Sequence, residues 1–223
     1  MLDLKNVSKT FHPGTVNART ALDDLSLHLN EGDFVTVIGG NGAGKSTLLN
    51  AIAGTFAVDC GSISIGGQDV TRLPEFKRAA LIGRVFQDPM LGTAATMQIE
   101  ENLALAARRG QTRGLKWGIT KEERETYRAL LQPLDLGLED RLTAKVLSLS
   151  DQIVAENHLT TLMITHNMRD AIRHGNRLLM MSAGKVVLDI SGEEKRKLTV
   201  EDLLHRFSLA SDGEMLSDRA ILS

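Results

Sequence analysis

Phe34-Val-Thr-Val-Ile-Gly-Gly-Asn-Gly-Ala-Gly-Lys-Ser-Thr-Leu-Leu-Asn-Ala-Ile-Ala-Gly54 is the stretch that decides the fold. Its first five residues, Phe34 to Ile38, are a nearly continuous apolar run, as a strand covered on both faces requires. Lys45 to Gly54 has helical spacing and stops at a glycine, a common helix end. Between them, Gly39 to Ser46 matches G-x-x-x-x-G-K-[S/T] in full. Glycines let the backbone curl so that successive N–H groups point inward at an anion. The helix N-terminus adds the positive end of its dipole. Strand, glycine loop and helix in this order predict a phosphate cradle. Lys45 is placed to reach the outer phosphates, and the Ser46 hydroxyl to complete a Mg²⁺ shell.

Outward from the loop, the pattern is antiparallel strands first, then strands and helices in alternation. Leu2 to Val7 and Leu25 to Leu29 alternate like half-buried strands, with a turn signal at His12-Pro-Gly-Thr between them. Gly61 to Ile65 and Leu81 to Phe86 read as further strands. Ile99 to Arg109, Lys121 to Leu136 and Ala144 to His158 read as helices. Thr161 to Thr165 is another buried-type strand. Asn176 to Ser182 and Lys185 to Ile190 flank the Ala183-Gly184 turn, and Val200 to Phe207 closes as a short amphipathic helix. The expectation is one α/β domain with a helical middle.

Composition narrows the function classes. At 223 residues, with 42% hydrophobic and 24% charged, disorder and a disulfide-stapled mini-fold are excluded. The 26 basic against 28 acidic residues give a formal net charge of −2, which argues against a nucleic-acid partner. A lone Cys60 forms no internal bridge and no cysteine-rich zinc site. No stretch approaches the roughly 18 consecutive apolar residues of a membrane span, and Met1 to Asn6 lacks a secretory h-region. A cytoplasmic protein is expected.

The phrase Gly39-Gly-Asn-Gly-Ala-Gly-Lys-Ser-Thr-Leu-Leu49 resembles the Walker A segment of ATP-binding-cassette (ABC) ATPases, and the order of features around it extends the resemblance over nearly all of residues 1–207. The resemblance is closest to stand-alone ATPase subunits of bacterial transporters. It implies a P-loop fold of ABC type: a mixed central sheet, an antiparallel β-subdomain and a helical subdomain over about residues 93–143, all within one domain, 1–223. It implies an ATP-binding set of Phe11, Gly39, Gly40, Asn41, Gly42, Ala43, Gly44, Lys45, Ser46 and Thr47. Phe11, in Val7-Ser-Lys-Thr-Phe11, stands where the family places an aromatic on adenine, although a Phe beside a turn equally suits a core. Gln87, in Arg84-Val-Phe-Gln-Asp-Pro89, matches the Q-loop glutamine, which with Ser46 would touch Mg²⁺. His166, in Leu162-Met-Ile-Thr-His166, matches the switch histidine, which with Lys45 and Gln87 completes the catalytic set. The other five histidines read as surface residues, and Met180-Met181 as core filling.

Two family elements are missing between Gln87 and His166. One is the signature L-S-G-G-Q; the other is Walker B, an apolar strand ending Asp-Glu. Leu147-Ser-Leu-Ser-Asp151 echoes the first but lacks the paired glycines. Val186-Val-Leu-Asp189 echoes the second but runs into Ile190 and lies beyond the switch histidine. The 79 positions separating Gln87 from His166 are fewer than the family pattern by roughly forty, about one helix plus one strand with their loops. The resemblance resumes on both sides of a point near residues 141–147, so a single internal excision is expected there, with Thr143 and Ala144 as the junction. Losing that strand would expose groups a parallel sheet normally buries.

The resemblance therefore implies an ATP-hydrolysing subunit that works as a homodimer and energises a separate transmembrane permease from the inner face of the cell membrane. A substrate-binding protein is an implied further partner, since stand-alone chains resemble importers more than exporters. The alternative is an ATP-binding module without hydrolysis, because signature and Walker B are missing. A non-transport ABC ATPase fits less well: the charge is near neutral and long heptads are absent.

Overall fold

The structure, a computed structural model, describes residues 1–86, 88, 91–111, 118–132 and 151–210. It divides into two compact units, one holding residues 1–73 and the chain from 144 onward, the other residues 74–143.

The first unit carries two four-stranded sheets. β1 (Leu2–Phe11) and β2 (Arg19–Leu29) pair antiparallel, Leu2 opposite Leu29 and Leu4 opposite Leu27. Their inward residues Leu4, Val7, Leu22, Leu25 and Leu29 are buried, as the alternation requires. β4 (Cys60–Ile65) pairs with the other edge of β1, and β5 (Gln68–Asp69) completes the order β2-β1-β4-β5.

The second sheet has the order β6-β3-β7-β8. β3 (Phe34–Gly39) lies inside it, parallel to both β6 (Thr161–Ile164) and β7 (Arg177–Ser182). β8 (Lys185–Ser191) returns antiparallel to β7. The first five residues of β3 are all buried, the expected state of a strand covered on both faces. Its one polar side chain is satisfied, because the Thr36 hydroxyl donates to the Ala171 carbonyl at 2.8 Å. Met180 and Met181 fill this core at 1% and 0% exposure. α1 (Lys45–Ala53) follows β3, and its Leu48 and Ala51 are buried. α5 (residues 151–156) precedes β6, and after it come α6 (Met168–Arg173), α7 (Gly192–Arg196) and α8 (Val200–Ala210). Met168, Leu198, Leu203 and Phe207 join Met180 and Ile190 in one cluster.

β6 departs from the buried strand its residues predict. All four of its residues are half-exposed. β6 ends the sheet, with β3 on one side and no described strand on the other. The Thr161 N–H donates to Asp33 at 2.8 Å and that of Thr165 to Val37 at 3.3 Å. Leu162 and Ile164, of opposite parity, turn their backbone groups to the open edge.

The second unit is helical over its described residues, with α2 (Glu75–Arg78), α3 (Ile99–Ala107) and α4 (Lys121–Leu131). Thr120 and Glu123 form a capping box at the start of α4, and Arg124 reaches Glu100 at 3.3 Å. Leu81 to Phe86 is not the strand its pattern suggests. No described residue takes its ladder bonds, Val85 is 97% exposed, and Arg84 stacks over Phe86 at 4.4 Å. An apolar run becomes a strand only where a neighbour accepts it.

His174 corrects the reading of the remaining histidines as surface residues. It is buried at the end of α6, where its ring Nδ1 meets the Asp151 carboxylate at 2.6 Å. That carboxylate, from the helix over 151–156, makes the burial of an imidazole affordable. The helices read from Lys121 to Leu136 and from Ala144 to His158 are seen over 121–131 and 151–156. Gln87 and the 141–147 junction lie outside the described residues.

Candidate nucleotide site

Backbone geometry explains the glycines of residues 39–44. Gly39 has φ 148°, and a Cβ there would stand 2.2 Å from the Met181 carbonyl oxygen. Gly44 has φ 100°, and its Cβ would stand 2.4 Å from the Ala21 oxygen. Neither position admits a side chain. β7 and the start of β2 thus hold the loop against the sheets, assisted by the Gly184 N–H donating to the Ala43 carbonyl at 3.0 Å.

Gly44 caps α1, whose first internal bond runs from Leu48 N–H to the Gly44 carbonyl at 2.8 Å. The N–H groups of Lys45, Ser46 and Thr47 precede that bond and have no acceptor among the described residues. No acidic residue lies in the first turn. The arrangement is an anion receptor. Lys45 is folded back into it at 6% exposure, donating to the Gly39 carbonyl at 2.7 Å and the Gly40 carbonyl at 2.9 Å. Burial lowers its pKa. Two carbonyls hold the ammonium where a phosphate oxygen would be the better partner, so the side chain is poised to exchange them for an anion.

Asn41 and Gly42 are exposed at the mouth of the loop, Ala43 is buried beneath it, Ser46 is exposed and Thr47 half-buried. The Ser46 hydroxyl at the start of α1 suits a hard cation arriving with a nucleotide. Among the described residues no cluster of three or more His, Cys, Asp or Glu could hold a metal ion without one.

Of two further residues of the expected set, His166 lies beside the loop and Phe11 is linked to it through Arg19. His166 follows β6 immediately, and the parallel pairing of Val37 with Ile164 carries Gly39 and His166 to the same level. A small crevice is lined by Gly39, Thr165 and His166 over Met168 and Phe207. Asn167, next in the chain, caps α6 by accepting from the Arg169 and Asp170 N–H groups. The backbone entering and leaving His166 is therefore fixed on both sides. Phe11 ends β1, half-buried and edge-on to Phe56 with ring centres 5.3 Å apart. Lys9 sits over both rings, at 5.7 and 5.6 Å, and pairs with Asp59 at 2.8 Å. The Lys9 side chain and then the Thr10 N–H hold the Asp59 carboxyl below its usual range. Directly across from Phe11 stands Arg19, which donates to the Gly42 carbonyl at 3.2 Å. Phe56 and Arg19 were not singled out from the sequence. Strand register brings in Arg19, and the connection from α1 to β4 brings in Phe56.

Comparison with known proteins now decides the family. The ABC transporter family model matches residues 22–187. The chain belongs to the ABC transporter family. The tyrosine transport ATP-binding protein of Clostridioides difficile is 36% identical over 251 aligned residues, covering 94% of this chain and all of that one. Ninety-four per cent of 223 residues is about 210, which leaves about 41 aligned positions without a counterpart in this chain. A spermidine/putrescine import ATP-binding protein of Pseudomonas fluorescens is 30% identical over 83% of this chain, which spans 59% of that longer protein. The fold matches a nucleotide-free ATP-binding cassette of an ABC transporter with TM-score 0.73, at 23% identity, covering 93% of this chain and 98% of that one. A dimeric cassette in a post-hydrolysis state with ADP and phosphate matches at TM-score 0.72 and 23% identity, covering 86% and 98%.

Proposed function

We propose that the chain is the ATP-hydrolysing subunit that energises transport through a separate membrane permease, most simply an importer with its own substrate-binding protein. The observation that carries this is the receptor at α1: three N–H groups without acceptors among the described residues, a buried lysine held by carbonyls, and glycines that admit no Cβ. Asn41 to Thr47 wrap the triphosphate, Lys45 moves from the Gly39 and Gly40 carbonyls onto phosphate oxygens, and Phe11 carries the adenine. Ser46 and Gln87 would hold Mg²⁺, which when bound would offset phosphate charge. His166 orients the attacking water against the γ-phosphate from the end of β6.

No helix among the described residues is long and apolar enough to cross a membrane, which supports a peripheral place at the inner face. The dimeric cassette among the structural matches supports a homodimer. The net charge of −2 supports the absence of a nucleic-acid partner. The tyrosine transport ATP-binding protein among the relatives supports tyrosine as the solute to assay first.

The shortfall of about 41 positions supports an excision near residues 141–147 that removes signature and Walker B. It is also the one observation favouring the second reading, ATP binding without turnover. Phosphate release with Mg-ATP separates the two. Release that Lys45→Ala abolishes supports the first; ATP binding with no release above the Lys45→Ala background supports the second.

A further inference from the structure

Three cations stand about Phe11 and the loop, Lys9 over the ring and Lys45 and Arg19 at the loop, and two are already engaged. Lys9 pairs with Asp59 at 2.8 Å, and Lys45 is folded onto the Gly39 and Gly40 carbonyls. The third, Arg19, is exposed and has no carboxylate partner among the described residues. Its one hydrogen bond uses a single Nη2–H, donated to Gly42 at 3.2 Å. A guanidinium has five N–H donors in a fixed plane, so most of its donor set faces outward.

Gly42 is shaped around this side chain. A Cβ on Gly42 would lie 2.0 Å from Arg19 Nη2, 3.1 Å from Cζ and 3.6 Å from Nη1. The guanidinium therefore lies on the bare Cα of Gly42, at the rim of the cradle. Its backbone is fixed from the other side by the pairing of Arg19 with Phe11. A cation is thus set between the aromatic proposed for adenine and the loop proposed for phosphate. Among the described residues it has no anion of its own.

We infer that Arg19 is a further nucleotide-binding residue, donating to the phosphate chain on the Gly42 side of the cradle. The inference rests on the reading of residues 39–47 as an ATP cradle. Gly42 acts as the seat that aims the guanidinium, and a planar, bidentate donor there discriminates phosphate-rich ligands from the bare nucleoside.

Calorimetric titration of the whole chain with ATP, ADP and adenosine tests it, using wild type, Arg19→Gln, Arg19→Lys and Lys45→Ala. Arg19→Gln is expected to weaken ATP and ADP about tenfold at low ionic strength. Adenosine should be unchanged, and Arg19→Lys should recover part of the loss because it keeps the charge. The melting temperature of Arg19→Gln should stay at the wild-type value. Equal loss for adenosine and ATP, a loss that comes with a lowered melting temperature, or unchanged ATP affinity overturns the inference. If Lys45→Ala weakens ATP while Arg19→Gln does not, only this inference fails. If neither does, the cradle reading fails with it.

Discussion

At Gly39 a single missing atom decides whether the loop can exist. The Met181 carbonyl occupies the space a Cβ would need, and φ 148° is a conformation that side-chain-bearing residues rarely adopt. Gly39→Ala is therefore expected to cost about 1–3 kcal/mol in backbone strain and to lower the melting temperature by several degrees. Thermal denaturation measures it, and an unchanged melting temperature contradicts the close approach of β7. Such positions were legible from sequence because the loop motif is local: residues 39–46 specify their own geometry. The remainder of the site was only partly legible. Phe11 and His166 came from resemblance, since nothing within a few residues of either says what it faces. Arg19 depends on strand register, and Phe56 and the Lys9–Asp59 pair on the path of the connection from α1 to β4, neither of which a sequence prints. His174 misled for the same reason, its carboxylate partner lying 23 positions away.

Among elements, the join of α6 to α7 carries a buried titratable group that no sequence pattern announces. Lys195 is 2% exposed and donates to the His174 carbonyl and, at 2.9 Å, to that of Gly175, closing the end of α6. Burial lowers its pKa to about 8, while Asp151 pulls the other way. The folded state thus binds fewer protons than the unfolded state between about pH 8 and the ordinary lysine value. The cost of burying the charge is fully present below pH 8 and is relieved as pH rises towards 10.5. Denaturant unfolding of wild type minus Lys195→Met should show a difference that rises with pH across that window. A flat difference contradicts the assignment. β6 makes a second element-scale prediction. Leu159 to Thr165 contains no charge and no proline, and the strand's outer edge is open among the described residues. Such edges pair with other chains. Sedimentation should show concentration-dependent self-association that Leu162→Lys reduces, and equal behaviour of the two proteins contradicts it.

For the molecule as a whole, the strands around the loop and the family were readable because periodicity and a local motif both survive in one sequence. The strand expected at Leu81 to Phe86 is not formed, and Val85 within it is exposed, a matter of tertiary structure. The Clostridioides difficile relative carries about 41 aligned positions that this chain lacks, beside the roughly forty by which the spacing of Gln87 and His166 falls short of the family pattern. Everything proposed for the chain, turnover included, depends first on the loop at residues 39–47 holding a triphosphate. Equilibrium binding of ATP with Mg²⁺ by wild type and by Lys45→Ala measures that directly. The account predicts saturable binding by wild type and a loss of about tenfold or more in the variant, the worth of one charge-assisted contact. Equal affinity in the two proteins, or no binding by wild type, would contradict it.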